Sequence, residues 1–134
     1  VLEIGTGSGF TAAVMSHMAQ RVATAERFKN LCESALSRME ALRITNVNIR
    51  HADGRNGLNG EGPFDRIVVW AAFDSLPRAF VDQLATGGVM ICPIGPAEGE
   101  QTLARLAKVG SRFERDDLMN VRFQPIGTAL AAAL

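Results

Sequence analysis

Short apolar runs that stop at a glycine or a charged residue recur along the chain. Between them, apolar residues return every three or four positions. Val1-Leu2-Glu3-Ile4 is the first run and ends at Gly5, which predicts a buried strand. Phe10 to Ala19 has helical character, with small residues that would lie close to a sheet. Arg21 to Glu26 predicts a second strand. Phe28, Leu31, Cys32, Ala35, Leu36, Met39 and Leu42 recur at helical spacing and predict an amphipathic helix. Asn46 to Ala52 alternates and predicts a third strand, Asn56 to Pro63 a glycine-rich loop, and Arg66 to Ala71 a fourth, fully buried strand. Pro77 opens a further expected helix with Leu76, Phe80 and Leu84 inward, closed by Gly87-Gly88. Val89 to Cys92 predicts a fifth strand. Thr102–Val109 and Asn120–Phe123 alternate with no helix between them and predict a closing antiparallel pair, with Arg112 to Asp117 as a solvated hairpin rim. The pattern assigns no element to Thr128–Leu134.

Strands alternating with helices specify an α/β fold. The expected form is a Rossmann-like, doubly wound, mostly parallel sheet, covered on both faces and closed by the C-terminal antiparallel pair. A chain of 134 residues suits one domain, and no repeat or linker divides it. With 47% hydrophobic and 21% charged residues the chain has the balance of a folded protein. Fourteen basic and fourteen acidic residues cancel, so no basic stripe marks a nucleic-acid partner. No apolar run is long enough to span a bilayer. Cys32 and Cys92 read as buried small hydrophobes in a reducing, cytoplasmic setting, and His17 and His51 lack metal-ligand spacing.

In an open α/β sheet, ligands bind beyond the carboxyl ends of the strands. The first strand runs into Gly5-Thr6-Gly7-Ser8-Gly9, whose glycines permit a tight turn and close backbone approach, though a purely structural turn would use them too. The dinucleotide fingerprint needs glycine where this chain has Phe10, which disfavours a pyrophosphate cradle. Glu3, just before the loop, also disfavours a polyphosphate and suits a ligand with ammonium and sulfonium charges. Glu26 ends the second strand about twenty residues beyond the loop, where an acidic residue can hold ribose hydroxyls. Asp53-Gly54 ends the third strand and can meet an adenine amino group, or can be a plain Asp-Gly turn. Three acidic residues and the glycine loop at adjacent strand ends match the parts of an adenosyl amino acid.

Val1 to Val14 resembles the first motif of class I methyltransferases, especially the protein-L-isoaspartate O-methyltransferases. Asp53-Gly54-Arg55, Pro63 to Val69, Gln83-Leu84 with Gly87-Gly88, Pro93-Ile94-Gly95-Pro96 and Val121 to Ile126 resemble that family's later motifs in order. The resemblance implies S-adenosylmethionine as cofactor. Glu3 and the loop residues Gly5, Gly7, Ser8 and Gly9 would serve its amino-acid end, Glu26 and Arg27 the ribose and its surroundings, and Asp53 and Gly54 the adenine. It places Ala71, Ala72 and Val121 toward the acceptor. It implies a monomer that methylates the α-carboxylate of L-isoaspartyl residues in damaged proteins, in protein repair.

Phe10 stands where the family often has tyrosine, and Trp70 and Phe73 add bulk around Ala71-Ala72. Family members also carry a segment before the first motif, so the chain is expected to lack an N-terminal portion. A small-molecule methyltransferase and a cofactor-binding domain without activity remain alternatives. No Ser/His/Asp or paired-carboxylate arrangement is present to name a catalytic residue. None is required, because a free α-carboxyl, with a pKa of about 3.5, is already ionised near neutrality.

Overall fold

In a computed structural model that describes residues 1–134, the apolar runs become neighbouring strands of one seven-stranded sheet. In chain order the elements are β1 (Leu2–Ile4), α1 (Phe10–Ser16), β2 (Val22–Glu26), α2 (Lys29–Ala41), β3 (Val47–His51), β4 (Phe64–Val69), β5 (Leu84–Ile94), β6 (Gln101–Val109) and β7 (Arg112–Val121). The spatial order is β3-β2-β1-β4-β5-β6-β7. β1 to β5 run parallel, whereas β6 and β7 are antiparallel to their neighbours. The chain reverses direction across the sheet between β1 and β4, which is where such sheets open a ligand crevice.

Alternation along the strands divides the core. Leu2, Ile4, Ala23, Ala25, Ile67, Val69, Met90, Cys92, Ala104 and Leu106 share one face, covered by Leu58, Phe73 and the fully buried Phe80. On the other face Ala12 of α1 and Met39 of α2 pack with Val22 in a smaller cluster. At about 25 cal/mol per Å² of apolar surface, the first face supplies most of the burial energy.

Three expected boundaries differ. α1 ends at Ser16 rather than Ala19, because the Ser16 hydroxyl donates to the Ala13 carbonyl (2.6 Å) and Asn46 Nδ2 donates to the carbonyls of Ser16 and Ala19. The helix expected after Pro77 is a 3₁₀ helix, Arg78–Gln83. Leu84 pairs with Phe64, so the sheet claims the chain before a longer helix can form, and Gly87-Gly88 are poor helix residues in any case. The charged segment Arg112 to Asp117 is not a hairpin rim but the first half of β7. An edge strand tolerates outward charges, and Arg105 of β6 pairs with Asp116 across it (2.8 Å).

Candidate functional site

A cavity of about 340 Å³ opens at the carboxyl ends of the central strands. β1 supplies Ile4 and the turn after it Gly5, β2 supplies Ala25 and Glu26, and the turn after β3 supplies Asp53 and Gly54. Ala71 follows β4, and the C-terminal segment closes the far side with Gln124 to Gly127 and Leu134. Its size falls in the range of small-molecule sites. A second hollow of about 310 Å³ shares Pro125 and Ile126 with it and is lined by Ala72, Phe73, Asp74 and Arg55 among others.

Glu26 is the acidic residue most firmly set at the cavity. It is 6% exposed, and its carboxylate accepts from the Gly7 N–H (2.9 Å) and the Phe28 N–H (3.1 Å). That ties the glycine loop to the end of β2. Gly7 has φ +54, and a Cβ there would meet no atom within 4 Å, so the space in front of it is open. Gly5, at φ +94, lines the cavity directly. Gly54 admits no side chain, since a Cβ would come within 2.6 Å of Ile4 Cγ2. Asp53 accepts from the Arg55 N–H (3.0 Å) with one oxygen and from the Ala129 N–H (3.2 Å) with the other.

Of the remaining expected residues only Arg27 lines the cavity. Glu3 is fully buried behind the loop and does not line the cavity. Its carboxylate accepts from the Thr24 hydroxyl (2.6 Å), the Trp70 indole N–H (2.9 Å) and the Thr11 hydroxyl. Ser8 is exposed over α1, where its Oγ accepts from the Phe10 N–H (3.3 Å). Gly9 is a packing residue, because a Cβ there would lie 2.8 Å from Met39 Cε. Arg27 lines the cavity, but its Nε donates to the Ala129 carbonyl (3.1 Å) and its guanidinium lies over the Phe28 ring. Ala72 belongs to the second hollow, its backbone paired on both sides with Gln124 and Ile126 (2.8 Å each). Val121 ends β7 opposite Gln101 and lines neither space.

Several contributors carry no chemical signature in the sequence. The buried Gln101 side chain clamps Phe123, accepting from its N–H (2.7 Å) and donating to its carbonyl (3.0 Å), which sets the path of Gln124 to Gly127. Gln83 does the same for the loop after β3, bonding Leu58 N–H and the Asn56 carbonyl. The C-terminal tail, unassigned from its pattern, crosses beside the cavity. It bonds Arg27, Lys29 and Asn30 through the backbone of Ala131 and Ala132. Burial and then the neighbouring Glu26 carboxylate push the Cys32 thiol up, away from reactivity at neutral pH.

The family model described as protein-L-isoaspartate(D-aspartate) O-methyltransferase matches residues 1–131. A protein-L-isoaspartate O-methyltransferase of Rhizobium meliloti (strain 1021) is 47% identical over the whole of this chain, and one of Azorhizobium caulinodans is 48% identical. The chain spans 66% and 62% of their lengths. Among solved structures, a protein-L-isoaspartate O-methyltransferase superposes with a TM-score of 0.88 at 32% identity, over 96% of this chain and 42% of that one. A Plasmodium falciparum structure described as a putative protein-L-isoaspartate O-methyltransferase, in complex with S-adenosyl-L-homocysteine, gives a TM-score of 0.75 at 28% identity, over 94% of this chain and 64% of that one. On the family match and these relatives together, the chain belongs to the protein-L-isoaspartate(D-aspartate) O-methyltransferase family.

Proposed function

We propose that this chain binds S-adenosylmethionine in the 340 Å³ cavity and serves methyl transfer to the α-carboxylate of L-isoaspartyl residues in damaged proteins. The observation that carries the reading is the placement of Glu26 and Asp53 on one cavity, at the ends of adjacent strands, with the open glycine turn between β1 and α1. The residues fit the cofactor. Glu26 is oriented by two backbone donors and retains acceptor capacity for a ribose diol. Asp53 stands where an adenine amino group would donate, and Gly54 keeps that wall flat. Bound there, S-adenosylmethionine would supply an electrophilic methyl group.

The chain's own part is alignment and exclusion of water. A carboxylate acceptor arrives ionised, so no residue has to remove a proton. Well-oriented neighbours can lower a barrier by about 7–11 kcal/mol through placement alone. Ala71 and Ala72 carry the wall between the cavity and the second hollow, and their small side chains leave room for an acceptor to approach. Arg55 and Asp74 both line that hollow, and Arg55 is the group there that can meet an anionic acceptor. The reading includes a cytoplasmic monomer acting on proteins rather than nucleic acid, in keeping with zero net charge. No helix is long and apolar enough to cross a membrane.

The test is calorimetric titration of the chain with S-adenosylhomocysteine, followed by transfer of labelled methyl to an isoaspartyl peptide and to its matched aspartyl peptide. Saturable binding and base-labile label on the isoaspartyl peptide alone are expected. Binding with no label on either peptide would remove the isoaspartyl acceptor and leave a cofactor-binding domain.

A further inference from the structure

Trp70 is out of keeping with a purely structural residue. It is the first residue after β4, it is 39% exposed, and its indole is nevertheless aimed inward. The indole N–H donates to Oε1 of Glu3 at 2.9 Å. Glu3 is 0% exposed and has no cation within ion-pair distance, so neutral donors alone hold it. A buried carboxylate is costly unless its lone pairs are satisfied, and it exerts its field through a poorly screening interior.

The three donors differ in where they stand. Thr11 belongs to α1 and Thr24 to β2, both within the packed scaffold. Trp70 adjoins Ala71, which lines the cavity. Its ring stacks on Phe123 with centroids 6.4 Å apart at 26°, and Phe123 immediately precedes the Gln124 wall. Its Cβ also lies where a side chain on Gly5 would reach, 3.4 Å from an ideal Cβ. One side chain therefore bonds the carboxylate behind the glycine loop, stacks on the C-terminal segment and stands beside the start of that loop.

We infer that Trp70 is a positioning residue for the amino-acid end of the cofactor: its N–H fixes the Glu3 carboxylate behind the glycine loop, so that the uncompensated charge favours a ligand's ammonium group there. The inference rests on the cofactor reading above. Trp70 itself need not touch the ligand, because it acts through Glu3.

Two ligands isolate this role. S-adenosylhomocysteine carries the ammonium-bearing end, whereas 5′-methylthioadenosine carries only the adenosyl end. Trp70→Phe keeps an aromatic ring for the Phe123 stack and removes the donor. Trp70→Gln removes the ring and restores an N–H donor the same number of bonds from the backbone. Calorimetric titration of the full chain gives both affinities for each variant. In Trp70→Phe, S-adenosylhomocysteine should weaken about tenfold while 5′-methylthioadenosine changes less than twofold. Trp70→Gln should keep the native ratio of the two affinities within about threefold. Parallel loss of both ligands in Trp70→Phe, or an unchanged ratio, would reduce Trp70 to packing and overturn the inference. Were Trp70→Phe not to fold, Trp70→Gln decides alone: a native ratio upholds the donor role and a tenfold selective loss ends it. A native chain that takes neither ligand would instead overturn the cofactor reading.

Discussion

β1 and β2 bury acidic and hydroxyl side chains, whereas β6 and β7 carry their ion pairs in solvent. Glu3 and Thr24 are fully buried and Glu26 nearly so, each held by donors from a neighbouring element. In the antiparallel end of the sheet, Arg105, Asp116, Arg115 and Asp117 form ion pairs whose side chains are 38–64% exposed. The first arrangement loses the full desolvation cost of a group when one partner is removed, while the second simply returns its charges to water. The parallel end is therefore the one that can hold a ligand's polar groups in fixed geometry. The antiparallel end contributes mainly the segment that leaves it, Phe123 to Gly127, pinned by Gln101.

Substitutions can test that contrast, beginning with the largest effect. Gly7→Val fills the open space in front of the loop and forces a branched side chain to φ +54. No S-adenosylhomocysteine binding should be detectable by calorimetry, and retained binding would show that the loop does not face the ligand. Glu26→Ala removes the acceptor shared by the Gly7 and Phe28 N–H groups. It should weaken the same ligand by about ten- to a hundredfold, roughly 1.4–2.8 kcal/mol, with circular dichroism unchanged. Thr24→Val leaves one Glu3 oxygen without its β2 donor and should lower unfolding free energy by about 1–3 kcal/mol in a denaturant titration. Asp116→Asn breaks a surface pair on β7 and should cost less than about 1 kcal/mol in the same titration. Equal losses for Thr24→Val and Asp116→Asn would erase the distinction between the two ends.

The pattern of the chain revealed the parallel end more fully than the rest. Apolar runs that end in glycine or acid located β1 to β4 to within a few residues, and Glu26, Asp53 and Gly54 followed from strand ends alone. Strand parity explains Glu3. It lies between Leu2 and Ile4, which face the larger cluster, so its side chain points to the opposite face, where Thr11 of α1 and Thr24 enclose it. The start of β7 was hidden because an edge strand with outward charges has the composition of a loop. The clamping roles of Gln83 and Gln101 were hidden because glutamine is usually exposed, and Gln83 stood out only as part of a family-like motif. The tail is held through backbone groups, which leave no trace in residue type.

The larger core cluster also makes a pH prediction. Burial pushes the Cys92 thiol up to about 12, with the Arg115 charge opposing only weakly. The unfolded chain ionises this thiol near pH 9 and the folded chain does not. The folded pKa is the higher one, so its stabilising contribution is complete below about pH 9 and is lost as pH rises toward 12. Thermal midpoints should fall through that window, and Cys92→Ala should flatten the fall.

The chain has one tryptophan and no tyrosine. Its near-ultraviolet absorbance and its emission thus come essentially from a single indole, the one bonded to Glu3 and stacked on Phe123. Spectroscopically the protein is already labelled at the cleft, with one chromophore and no background from elsewhere in the fold. A shift in its emission on adding ligand would report an event at the junction of the glycine loop, β4 and the C-terminal segment.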